Sequence, residues 1–99
     1  MAATEGMVTL TANTWTLVTG ADTTAIRIQN VSGHRLWLKA TVGVSAPSGV
    51  PQSIGAILLP PGAMIDTSKT FANLFPGAGA VTRIYAYAIY AVDVPFSHP

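Results

Sequence analysis

The sequence contains no cysteine and very little charge: five Lys and Arg against four Asp and Glu in 99 residues. Without Cys, a disulfide framework, a thiolate metal site and a cysteine nucleophile are all excluded. Charged residues amount to 9% of the chain, far below the ~25% of an ordinary soluble domain. A net charge of +1 with scattered basic residues is no electrostatic footprint for nucleic acid. Long hydrophobic runs are missing as well. The longest, residues 84–92, spans nine positions, whereas a membrane helix needs about 20. The first six residues carry Glu5 and no basic cluster, so they do not read as a secretory signal. The expectation is a protein made in a cytoplasm that stays there or joins an assembly.

What the chain has is apolar residues, 49% of the total, arranged with a period of two. Val8 and Leu10 alternate with Thr9 and Thr11, Trp15 and Leu17 with Thr14 and Thr16, Ile26 and Ile28 with Arg27 and Gln29. Leu36 and Leu38 alternate with Arg35, Trp37 and Lys39. Such alternation marks half-buried antiparallel strands. Turn-rich clusters separate them at Thr11-Ala12-Asn13, Gly20-Ala21-Asp22 and Asn30-Val31-Ser32-Gly33-His34. Residues 43–53 read as a Gly, Pro and Ser loop, because Pro47 and Pro51 exclude a central strand. Ile57-Leu58-Leu59 forms a short strand closed by a Pro60-Pro61-Gly62 turn, and Met64-Ile65-Asp66 a further short strand. Residues 70–74 stay open: an N-cap at Thr67 or Ser68 would start one helical turn that Pro76-Gly77 stops. The result is an all-β, antiparallel sandwich of seven to eight strands in one domain, residues 1–99, with residues 1–6 and 95–99 as extended tails.

Residues 81–94 read as a single long strand. Ile84, Ala86, Ala88, Tyr90, Val92 and Val94 line one face and Arg83, Tyr85, Tyr87, Ile89 and Ala91 the other. Both faces are nearly free of charge, and a strand apolar on both sides is buried on both sides. So small a domain has little core to spare. The expectation is therefore that a loop, a second subunit or a larger body covers the outer face, with a partner favoured.

No constellation for catalysis emerges. Of the four carboxylates, Glu5 sits near the start, Asp22 in a turn, Asp66 at a strand end before Thr67-Ser68, and Asp93 at the end of the long strand. Nothing in their spacing selects an acid–base pair. His34 in a turn and His98 in the terminal tail are too few and too far apart for a metal motif. Gly43-Val44-Ser45-Ala46-Pro47 has Pro where a nucleophile elbow needs Gly. Gly77-Ala78-Gly79-Ala80-Val81-Thr82 has Thr in place of the third glycine of a dinucleotide loop. Asn30-Val31-Ser32 matches a glycosylation acceptor, read as chance without a secretory context. The chain is expected not to be an enzyme and to hold no cofactor and no metal.

The aromatics carry more weight. Trp15 is in phase with Leu17 and is assigned to the core, whereas Trp37, Tyr85 and Tyr87 point to the opposite face. Tyr and Trp are enriched at protein interfaces, so Trp37, Tyr85, Tyr87 and Ile89 are the candidate contact residues between chains. That the rings simply cover their own face of the sheet, and a carbohydrate platform on the same rings, are the competing expectations.

The matching stretches Trp15-Thr16-Leu17-Val18, Ala25-Ile26-Arg27-Ile28-Gln29-Asn30-Val31-Ser32-Gly33, Leu36-Trp37-Leu38, Leu58-Leu59-Pro60-Pro61-Gly62 and Arg83-Ile84-Tyr85-Ala86-Tyr87-Ala88 together resemble small structural proteins of tailed-bacteriophage virions. The resemblance runs from about Val8 to Val92 and implies a jelly-roll-like decoration (cement) module of the head. It further implies a homo-oligomer, with a trimer favoured, and the major capsid protein or other virion proteins as partners. The place would be the virion, assembled in the bacterial cytoplasm, without nucleic acid or membrane as partner. A tail, neck or fibre-base protein and a host-glycan-binding module are the alternatives it leaves open.

Overall fold

The computed structural model describes residues 4–20, 22–44, 46–47, 56–66, 68, 70–75, 77 and 79–98. Eight strands and one helical turn follow the chain: β1 (Thr4–Leu10), β2 (Thr16–Leu17), β3 (Arg27–Gln29), β4 (Leu36–Thr41), β5 (Ile57–Leu59), β6 (Met64–Ile65), α1 (Phe71–Leu74), β7 (Arg83–Tyr87) and β8 (Val92–His98). They form two four-stranded antiparallel sheets with strand orders β1-β8-β3-β6 and β2-β7-β4-β5. β1 pairs with β8, β2 with β7, β3 with β6 and β4 with β5, as in one long ribbon folded back on itself. The ribbon is then rolled, so that β8 also meets β3 and β7 also meets β4. That is the strand order of a jelly roll, which closes its edges by wrapping two sheets around one core.

The period-two pattern explains the inner faces. Leu10, Ile28, Leu36, Leu38, Ile84, Ala86 and Val94 are fully buried and meet between the sheets. Turns sit where the sequence places them. Asn13 takes a left-handed backbone (φ 57°), which Asn tolerates better than most residues, and its N–H donates to Ala88 O at 2.7 Å. Gly62 has φ 83°, and Ala63 N donates to Pro60 O at 3.0 Å, as a type II turn requires of Pro61-Gly62. The helical turn at Phe71–Leu74 is capped by Thr70, not by Ser68. Thr70 Oγ1 accepts from Asn73 N at 3.2 Å while Asn73 Oδ1 accepts from Thr70 N, a reciprocal capping box. Thr67 lies outside the described residues, as do Met1–Ala3, Pro99 and most of the loop 43–53.

Three expectations are corrected. The long strand over residues 81–94 is two strands: β7 ends at Tyr87, and the chain crosses between sheets before β8 starts at Val92. A run with no Gly or Pro gives no sign of this break, because both strands are apolar. The described terminal residues, 4–6 and 95–98, are in strands rather than tails. Thr4, Glu5 and Gly6 pair with His98, Ser97 and Phe96, and β3 pairs with Phe96 and Ser97 from the other side. Pro95 is tolerated there because β3 does not reach it, leaving β8 one neighbour at that position. Trp15 and Leu17 are half-buried on the outer face of the second sheet rather than in the core.

That outer face also answers how β7 is covered on both sides. Trp15 lies 5.2 Å from the Tyr87 ring and Trp37 6.2 Å from it. In the ladder, Trp37 stands opposite Leu58 on one side and Tyr87 on the other. The Tyr85 hydroxyl donates to the carbonyl of Val44, from the segment after β4. The chain thus folds its own rings over β7, and the second subunit expected there is not needed to bury it.

Candidate functional site

The contact residues expected from the sequence fall into two groups. Trp37 is 8% exposed and Tyr85 5%, and Tyr87 is half-buried between two tryptophans. Within one chain these three form a layer of rings over β7. Ile89, in the crossover between β7 and β8, is 45% exposed and stays available.

Ile89 belongs to an open groove of about 470 Å³ at one end of the second sheet. Three segments build it. Gly33, His34 and Arg35 come from the β3–β4 turn, Leu58, Pro60 and Pro61 from β5 and its turn, and Tyr90 joins Ile89 from the crossover. Leu58 is 47% exposed and Tyr90 54%. The His34 and Tyr90 rings stack with centroids 4.2 Å apart and planes inclined by 28°. Arg35 holds its guanidinium carbon 6.0 Å above the Trp37 ring, within reach of a cation–π attraction. Arg35 is in no ion pair among the described residues.

One buried residue fixes two of these segments. Asn30 is fully enclosed. Its Nδ2 donates to His34 O at 2.7 Å and to Leu59 O at 2.9 Å. Its Oδ1 accepts from Ser32 N at 3.1 Å and from Ser32 Oγ at 2.6 Å. Its main chain donates to Ala63 O and accepts from Gly62 N. All four side-chain valences are used, so the glycosylation match at Asn30 is a structural hub whose amide is engaged. The sequence marks Asn30 as a turn residue and through that motif, not as a buried hub. Tyr90 it placed on the core face, because the break after Tyr87 carries no signal.

The remaining candidates lie apart. Asp22 Oδ1 accepts from Arg83 Nε at 2.7 Å and from Thr82 Oγ1 at 3.3 Å. The Arg83 hydrogen bond holds the Asp22 carboxyl below the usual aspartate range. Asp66 Oδ1 accepts from Ser68 N at 2.9 Å and Asp93 Oδ1 from Thr9 Oγ1 at 2.6 Å. The Glu5 side chain is outside the described part. His98, placed in a tail from the sequence, is buried at the end of β8, where Nε2 accepts from Gly20 N at 3.1 Å. Among the described residues no three His, Asp or Glu side chains gather as they would around a metal ion, and no helix is long and apolar enough to cross a membrane.

A second apolar surface lies at the other end of β4. Val42 and Val44, just past Thr41, are both strongly exposed. They lead into the loop over residues 43–53, while the groove borders Leu36 at the start of the same strand. At ~3.3 Å per residue, the six residues of β4 separate the two surfaces by roughly 20 Å. No known protein family, curated protein or solved structure matches this chain.

Proposed function

We propose that this chain is a structural subunit of a bacteriophage particle, a capsid decoration (cement) protein seated on the head shell. It would act as a homo-oligomer, with a trimer favoured, in contact with the major capsid protein. The sequence resemblance motivates the virion assignment. The jelly roll is compatible with it, since that architecture serves capsid and lectin domains alike, although a fold alone does not fix a function. The observation that carries the reading is the exposed pair Val42 and Val44 at one end of β4, on a chain with only nine charged residues. Exposed apolar surface on so weakly charged a chain favours burial against another body.

The mechanism is mass action. A protein that binds only the assembled shell stabilises it by the free energy of that binding. Chemistry is not required, only many copies that each bury apolar surface across a seam. Light scattering on the eluting protein tests the self-association: a multiple of 10.3 kDa is expected and a monomer at micromolar concentration would count against it. Mass spectrometry of purified particles from a bacterium carrying the gene tests the virion. Recovery with tail-free heads supports the decoration reading, and its absence from particles overturns it.

A further inference from the structure

We infer that the groove between His34, Arg35, Leu58, Pro60 and Tyr90 is a binding site for a carboxylate-bearing pyranose, a sugar of the uronic-acid type. The groove lies at the opposite end of β4 from Val42 and Val44, so it stays open when that other end is covered. Its volume of about 470 Å³ falls in the ~300–1,000 Å³ range of small-ligand sites.

Three features select the ligand. Tyr90 stacks on His34 yet remains 54% exposed, which leaves flat aromatic surface for the apolar face of a sugar ring. Arg35, steadied over Trp37 and in no ion pair among the described residues, presents a planar pair of donors that matches a carboxylate. The walls are also unsuited to a peptide main chain. Of the lining residues, Pro60 and Pro61 have no N–H, and the His34 amide already donates to Ser32 Oγ. A ring held by stacking, with its acid on Arg35 and its hydroxyls near the His34 and Tyr90 polar atoms, uses what the groove does offer. The Asn30 hub makes the site rigid before binding, which lowers the ordering cost.

The test is an NMR titration of the full chain with sodium glucuronate, glucose, acetate and a proline-rich peptide. Saturable shifts at His34, Arg35 and Tyr90 with a millimolar dissociation constant are expected for glucuronate, with glucose and acetate each at least fivefold weaker. Arg35→Gln and Tyr90→Ala should each weaken glucuronate at least tenfold while the melting temperature holds, since both side chains are exposed. A uronate trisaccharide that binds tighter than the monomer identifies a polysaccharide source, and equal affinity a free acid. No saturable shift with glucuronate, acetate binding as well as glucuronate, or binding of the peptide alone would each overturn the inference. None of these outcomes touches self-association, so the decoration reading stands or falls separately.

Discussion

Asn30 is the residue on which most of the groove depends. Truncation to Ala takes the side-chain donor from the buried Leu59 carbonyl and breaks the bonds to His34 O, Ser32 N and Ser32 Oγ, leaving His34 O with Ser32 Oγ alone. Each unsatisfied buried polar group costs ~1–3 kcal/mol, so Asn30→Ala should lose about 3 kcal/mol in urea unfolding. Asn30→Asp should be at least as damaging, because a carboxylate cannot donate to the two carbonyls and places charge against them. A loss under ~1 kcal/mol for Ala would remove Asn30 from its role as hub. Asp22 makes a milder prediction. Its carboxyl is held low in the folded chain by the Arg83 hydrogen bond. Its stabilisation is therefore present above the unfolded aspartate value of ~3.9 and fades as pH drops through the lower folded value. The melting-temperature advantage of the native chain over Asp22→Asn should shrink as the pH falls below about 4; an advantage constant with pH would contradict the pairing.

At the scale of elements, legibility followed the turns. Pro60-Pro61-Gly62 announces its own geometry, and β5 and β6 on either side follow. The break between β7 and β8 was invisible because it has no such residue: Ala88, Ile89, Tyr90 and Ala91 could continue a strand as easily as leave one. What ends β7 is tertiary, the need of the chain to pass from one sheet to the other. The terminal strand was hidden for the opposite reason. Pro95 reads as a stop, yet β8 has a single neighbour at that point and carries on to His98. Deleting residues 95–99 removes the pairing partners of Thr4, Glu5, Gly6, Met7, Arg27 and Ile28 together with buried His98. The shortened chain should lose its cooperative thermal transition in circular dichroism. A truncated chain that melts within a few degrees of the full one would restore the tail reading.

At the scale of the whole molecule, the all-β sandwich was legible because alternation fixes one buried face for β1, β3 and β4. The second sheet was harder, since its outer face is apolar too. Trp15, Leu17, Trp37, Leu58, Tyr85 and Tyr87 gave the sequence no means to tell a face covered by its own rings from one covered by a partner. The two cases separate experimentally. Trp37 is part of the covering layer, so Trp37→Ala should cost about 3 kcal/mol, near the low end for buried aromatics. Val42 and Val44 are exposed and bury little in one chain. The double change Val42→Asp, Val44→Asp should leave monomer stability within ~0.5 kcal/mol, yet reduce the mass seen by light scattering, because two carboxylates at a contact must be desolvated. Should the aspartates instead unfold the chain while Trp37→Ala merely splits an oligomer, the ring layer would be the interface after all, and the two ends of β4 would exchange roles.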